Sequence, residues 1–597
     1  MTVAVRLADL VSPLRSGAPL GDGDRSALAV AGTETIRSGE PAVFLKAVAV
    51  ATAVVTRKGQ VRAAGSPCVH ATLGPLEDWL DAQAGPGVID GIAERAVLDA
   101  RFVKGERKRL LTAAFMIRVL VLMTLMPDAQ LTDVITALAA DLALVPWSKP
   151  WRPASERACS DWRKALGPVP LEELRAAVLG AARGGHTARP GQSLTAGRSR
   201  SLAVHSADGS LLRVPDTPAN RAAFGSVGTA DGSAAWPAVR LFPLNNVLTR
   251  SLLAMPWGAA GTDKAAAEQA LLDEVLAKYP HVLSHGQVWL LDRLWHGARR
   301  IAALTERTHL LIRVKSDITL KRTSPILPDG SYRAEISGDG LTITVRVIEY
   351  FVDIEGQKVP EMFCLVTDLL DWEEYPALEL AGLYKWRWDG SETGLREAKA
   401  PLRGAGPGTG AMLRSGSPGL IAQEIAAWTA ATEMTRGVTR DAAIAAAPAE
   451  KGCRAGQPVR YRDLSLARAR RLILAAIRAG KTGYRTLTGK IARFRAVTDR
   501  NRHRARKSKS PSTFDHARPK DTVTRTAPAV ITMANKPVPA AKIPSAGPES
   551  SQNYAKHTAT QRKLSRRRRV TPAAATSRNP RPRNVTKGES AHPGINA

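Results

Sequence analysis

Cysteine is nearly missing from this 597-residue chain. The four present, Cys68, Cys159, Cys364 and Cys453, form no CxxC pair. That excludes a zinc ribbon, a thioredoxin-like redox motif and a disulfide-built scaffold, and scattered thiols fit a reducing cytoplasm. Long apolar runs are also scarce. The stretch LLTAAFMIRVLVLMTLM (110–126) is interrupted by Arg118 and reads as a buried helix, not a membrane span. The N-terminus lacks an apolar core ending in a small-residue cleavage site, so a soluble cytoplasmic protein is expected. No repeat recurs at a fixed period. Acidic residues thin out towards the C-terminus, where 451–597 holds 35 Lys+Arg and 6 Asp+Glu. That region carries +29 of the net +31, leaving +2 for residues 1–450. A near-neutral body with a basic appendage is not a histone-like packer. It points to a polyanion partner, most simply nucleic acid.

What is present divides the chain into blocks. Residues 1–87 mix short apolar runs with Gly/Pro breaks and are read as an extension of unknown role. Residues 88–183 read as a helical domain, with Pro127 separating two helices. A Gly/Arg-rich linker follows at 184–200. From 201 to 315 short β-like runs precede helix, strand, helix and strand, which predicts a mixed α/β sheet. Residues 316–370 alternate apolar and polar between DG and EG turns, the pattern of an antiparallel β insert. A long helix over 377–399 and a second over 418–436 complete the sheet domain, assigned to 201–315 and 371–440. Residues 441–496 read as a basic helical segment, and 497–597 as a disordered basic tail with few large apolar residues.

A two-metal phosphoryl-transfer site needs carboxylates converging from separate elements. Asp208 beside the first strand, Asp292 closing the strand VWLLD, and Glu392 in a helix fit that requirement. Taken singly, each also reads as an ordinary turn or solvated residue. Asp216 competes with Asp208, but sits in a turn flanked by Pro215 and Pro218. His205 lies near the first strand and reads as structural.

The segment 384–399, YKWRWDGSETGLREAK, resembles the signature Y-x2-R-x3-E-x6-K of the insertion-sequence-four family of DDE transposases. Tyr384 and Arg387 keep the first spacing, and Glu392 and Lys399 keep the last. Four residues instead of three separate Arg387 from Glu392, which would rotate a regular helix by about 100°. A bulge or a late helix start must absorb the extra residue, or the arginine is aimed differently. DGSLLRVPDTPANRAAFG (208–225) and WLLDRLWHGARRI (289–301) resemble the family's first and second Asp motifs, with Leu294-Trp295 replacing the usual Gly-Phe. LLIRVKSDI (310–318) resembles the strand that follows. PWRPASERACSDWRKALGPVPLEEL (150–174) resembles the helical N-terminal region. The likeness covers roughly 88–440.

The resemblance implies an RNase H-like fold in which Asp208, Asp292 and Glu392 hold Mg²⁺, or Mn²⁺. It implies cleavage at transposon terminal inverted repeats and strand transfer into target DNA, through a hairpin intermediate and by a DNA-bound homodimer in the nucleoid. Tyr384, Arg387 and Lys399 would grip phosphates, with Arg293, Arg313 and Lys315 flanking them. A flipped base would stack on Phe363 or Trp372. For Lys399 the plain alternative is a helix-terminal lysine, and for Phe363 a core aromatic. Two other functions stay open: a transposase-derived DNA-binding protein without catalysis, and an RNase H-like nuclease without strand transfer.

Overall fold

The computed structural model describes residues 72–96, 112–138, 155–184, 202–225, 236–261, 264–295, 297–314, 318–353, 361–402, 411–448, 456, 458–479, 483–495 and 530–535. Its N-terminal part is a helical body of α1 (Pro75–Ala84), α2 (Val88–Arg95), α3 (Ala113–Leu125), α4 (Leu131–Leu138), α5 (Glu156–Leu166) and α6 (Val169–Gly184). Thr112 and Ser155 cap α3 and α5 by accepting from the amides of Phe115 and Ala158. The apolar stretch containing α3 is a buried helix, as its interruption by Arg118 suggested. That guanidinium is 5 % exposed and donates to both Glu77 and Asp90, so one buried cation ties α3 to α1 and α2. The helical domain therefore begins before residue 88. Helix α1, inside the segment read as an extension of unknown role, contributes Leu76, Trp79 and Leu80 to this core.

A sheet follows, built from β1 (Ala203–Ala207), β4 (Leu244–Asn246), β5 (Leu252–Ala254), β7 (Gln287–Leu291) and β8 (His309–Arg313). It continues through β9 (Lys321–Arg322), β10 (Tyr332–Gly338), β11 (Leu341–Asp353) and β12 (Glu361–Thr367). The order is β5-β4-β1-β7-β8-β12-β11-β10-β9. Strands β1, β7 and β8 run parallel, and β4 and β5 antiparallel. The strands read as an insert are antiparallel, but β12 pairs with β8, so they extend the same sheet. A smaller sheet has the order β2-β3-β6, from Ser210–Arg213, Ala238–Leu241 and Trp257–Ala259.

Period-two alternation sorts the side chains onto two buried faces. Trp289, Leu291, Leu310, Ile312, Cys364 and Val366 face one core with α8 (Lys264–Lys278) and α9 (Ala298–Thr305), which follow α7 (Pro218–Phe224). Val288, Leu290, Leu311 and Leu365 face the other core with α10 (Ala377–Tyr384). After α11 (Gly394–Lys399) comes α12 (Pro418–Ala445), about 42 Å long at 1.5 Å per residue. The sequence placed the helix over 418–436 with the sheet domain. Ile421, Ile425 and Trp428 do pack there, but Ala426, Ala430, Met434, Val438 and Ala442 lie in the core of the helical body. Gly437 seats Trp79, since a β-carbon there would stand 2.1 Å from the indole.

Helices α13 (Leu466–Ala479) and α14 (Tyr484–Ala492) dock on α12. Inside the segment read as a disordered tail, Val530–Met533 is instead a strand, β13, paired antiparallel with Tyr350–Asp353 of β11. Ile531 and Met533 pack against the α10-side core, and that burial holds the segment to the sheet. No helix among the described residues is long and apolar enough to cross a membrane.

Candidate active site

The register of β1 and β7 brings the first two carboxylates together. Ser206 lies opposite Leu290, so Asp208 and Asp292, each just past its strand's C-terminal end, emerge side by side. Continuing the alternation beyond Ala207 and Leu291 carries both towards the α10 face. Asp292 Oδ1 accepts the Leu294 amide at 2.9 Å, a local turn that sets its carboxylate. Asp208 is held by Arg387, whose Nη1 donates to Oδ2 at 3.2 Å, and both side chains are largely buried. Asp216 lies apart, in an exposed ion pair with Arg221.

Arg387 reaches Asp208 because the helix carrying it is not regular. After α10 the chain forms a π turn over Asp389–Thr393 before α11 begins. A π turn holds one residue more than an α turn, so it absorbs the extra residue between Arg387 and Glu392. Gly390 makes this packing feasible. A β-carbon there would stand 2.4 Å from Ser206 Oγ and 2.9 Å from Val247 Cγ2, so the turn sits directly on β1. The Ser391 hydroxyl donates to the Arg387 carbonyl at 2.8 Å and ties the turn internally.

Tyr384 closes the floor. Its buried hydroxyl donates to the carbonyl of Leu291, next to Asp292, at 3.0 Å. Burial pushes its ionisation up to about 12, opposed by nearby Arg387 and Arg313 and reinforced by Asp292, so the phenol stays protonated. Lys399 is bonded to the strand that follows Asp208. Its Nζ donates to Ser210 Oγ at 2.6 Å and to the Leu211 carbonyl at 2.5 Å, anchoring α11 to β2. Arg293 is exposed beside Asp292, and Lys315 lies outside the described residues. The Arg313 guanidinium lies 4.0 Å from the centroid of Phe363, whose ring also stacks on Tyr350 at 5.3 Å. A base would have to compete with both contacts. Trp372 is half-exposed in the loop before α10. His205 is a buried neutral imidazole, its pKa pushed down to about 4 by desolvation, with Nε2 against Asn246.

Glu392 lies on the exposed side of the π turn. Among the described residues no group of three His, Cys, Asp or Glu side chains is gathered as a metal site. Asp208 and Asp292 suit a hard divalent cation, which takes carboxylate oxygen, and Glu392 is not brought in with them.

Motif reading missed three features around the site. Trp388 is 45 % exposed, with the Arg387 guanidinium 5.0 Å from its ring. The Trp-Arg-Trp run 386–388 was a visible signal for it. Arg250, in the left-handed region at φ 54°, pairs with Glu397 of α11. Arg436 of α12 donates to the Gly394 carbonyl at 2.6 Å, where the π turn meets α11. No sequence spacing links these last two to the site.

The family described as "Insertion element 4 transposase N-terminal" matches residues 90–176. Transposase InsG for insertion sequence element IS4, from Escherichia coli (strain K12), is 27 % identical over 234 residues. Over these segments the chain is similar to the insertion-sequence-four transposases. The match to that curated relative covers 38 % of this chain and spans about half, 49 %, of the relative's own length. A solved synaptic complex of piggyBac transposase with hairpin DNA aligns with 72 % of this chain and 86 % of its own, at 11 % identity and a TM-score of 0.37.

Proposed function

We propose that the chain is a DDE-type DNA transposase that cleaves transposon ends and transfers the freed strand to target DNA. The observation that carries this reading is the pairing of Asp208 and Asp292 at adjacent parallel strand ends, with Arg387 on Asp208. The strand order β5-β4-β1-β7-β8, antiparallel then parallel, supports an RNase H-like sheet. Asp208 and Asp292 would hold Mg²⁺ or Mn²⁺, with Glu392 the third carboxylate of the motif. A bound divalent ion supplies activation of the attacking oxygen and stabilisation of the leaving one. Arg387 offers a planar, permanently charged fork to a phosphate. Tyr384 stays neutral and braces the strand end beside Asp292. Lys399 acts on the site by fixing α11 to β2. Terminal inverted repeats and target DNA are the substrates, a hairpin the intermediate, and a DNA-bound homodimer the working form.

The test uses the full chain, DNA carrying its element's terminal repeats, and Mg²⁺ or Mn²⁺. Nicked or hairpin ends and strand-transfer products are expected. Asp208→Asn and Asp292→Asn should each lose more than about a hundredfold in rate, since these groups would bind the ion directly. Absence of any product from the wild type would sink the enzyme reading. It would favour a DNA-binding relative without catalysis, a reading motivated by the extra residue between Arg387 and Glu392 and by the exposure of Glu392. Nicks without strand transfer would favour a nuclease.

A further inference from the structure

Between Asp463 and Asp499 the chain has no acidic residue and nine Lys+Arg. Within it, α13 and α14 are folded onto a core. Ala469, Ile473, Ala476 and Ile477 of α13, and Leu487 and Ile491 of α14, are buried against the helical body. The chain then closes on itself. The Ser465 amide donates to the Phe494 carbonyl at 3.0 Å, and Leu464 bridges Arg495 antiparallel, so α13 and α14 form a hairpin. Burial of one stripe leaves another in water. On α13 it carries Arg468, Arg471, Ala475 and Arg478; on α14 it carries Arg485, Thr486, Gly489, Lys490 and Arg493.

Carboxylates near this face are engaged elsewhere. Asp463 pairs with Arg460, and Asp441 accepts from the Tyr484 hydroxyl at 2.6 Å, with Asp78 near that tyrosine. Asp128 acts on Arg470, which is half-buried and donates to the Leu125 carbonyl. Among the described residues no carboxylate forms an ion pair with Arg468, Arg471, Arg478, Arg485, Lys490 or Arg493. Two of these side chains are steadied without losing charge. The Arg468 guanidinium lies 4.9 Å from the Phe494 ring centroid, and Arg478 reaches Met126 sulfur at 3.9 Å.

We infer that the α13–α14 hairpin is a second nucleic-acid surface, binding duplex DNA through its phosphates without reading sequence. A compact anion needs donors converging in a hollow. These cations are strung along a helix about 21 Å long and its neighbour, which suits a linear polyanion with a charge every ~1.7 Å. The exposed stripe interleaves Ala, Thr and Gly, with no large apolar side chain, so it lacks the wedge an interfacial membrane helix inserts. The inference takes DNA as partner from the proposed function, but it needs neither catalysis nor a divalent ion.

The experiment measures binding of the full chain to a long random-sequence duplex, in EDTA, across a salt series. Arg471→Gln, Arg478→Gln and Lys490→Gln are combined in one variant. A second variant combines Lys278→Gln, Arg307→Gln and Lys321→Gln, exposed cations on the sheet domain, and loses the same charge elsewhere. The hairpin variant should flatten the slope of log K against log salt by about 2 to 3, since each lost phosphate contact contributes about 0.9. The sheet variant should keep the wild-type slope. Equal slopes for wild type and hairpin variant overturn the inference, as does equal loss in both variants, which would make net charge the cause. Nicking assays on the same proteins separate this from the transposase reading. A hairpin effect without nicking leaves this inference standing alone.

Discussion

In the sheet and the helices that cover it, a set of arginines lies inside. Arg240 pairs with Glu268, Arg250 with Glu397 and Arg346 with Asp329, and each of these guanidiniums is largely buried. In the C-terminal hairpin every described arginine but the half-buried Arg470 lies outside, and the buried apolar stripe is Ala, Ile and Leu. The same residue type therefore serves two ends. Buried, it is spent on neighbouring carboxylates and carbonyls and specifies how elements meet. Exposed and uncompensated, it is left to act on a partner. A net charge sums the two and reports neither.

Three measurements bear on that contrast. The largest effect is expected at Arg346, fully buried between Asp329, Ser331 and the carbonyls of Leu369, Asp371 and Tyr375 that lead into α10. Arg346→Ala leaves Asp329 buried without its cation. It should cost about 3–5 kcal/mol in urea unfolding; a loss under about 1 kcal/mol would show the pair to be incidental.

A smaller, pH-dependent effect is expected at Glu349. Burial raises its carboxyl from 4.5 to about 7, against the opposing hydrogen bonds of Asn535 and Tyr332. A carboxyl whose folded pKa is raised favours the fold below its unfolded value, and that contribution is lost as pH rises through the folded one. Glu349→Gln should therefore match wild type near pH 4.5 and exceed it by on the order of 1–3 kcal/mol at pH 8. A pH-independent gap would exclude titration as its cause.

The smallest effect on stability belongs to the hairpin. The combined Arg471, Arg478 and Lys490 exchange should stay within about 0.5 kcal/mol of wild type. A melting temperature that falls as far as that of Arg346→Ala would show these cations to be structural, and the two regions alike.

Much of the sheet was legible because strand periodicity is local. Residues 288–291 and 310–312 alternate in a way that sends each side chain to one face or the other, whatever lies beyond. Asp292 could be read from the end of the first of those runs, and Asp208 from its place beside the first strand. The extra residue before Glu392 was also visible, and a bulge was one of the answers it allowed. The π turn depends on Gly390 meeting Ser206 and Val247, contacts distant in sequence. Lys399 matched its motif spacing, but its direction was set by β2, which no spacing within one helix encodes.

The sequence alone determined where charge accumulates, which stretches alternate, and which acidic residues stand at strand ends, since each is a property of neighbours along the chain. Only the tertiary structure decided that β13 returns to the sheet, that α1 belongs to the helical body, and that Arg387 meets Asp208. These depend on burial and pairing between segments from about 180 to about 360 residues apart, whose energies exist only once the segments meet. It also decided which arginines are enclosed by carboxylates and which are left facing water.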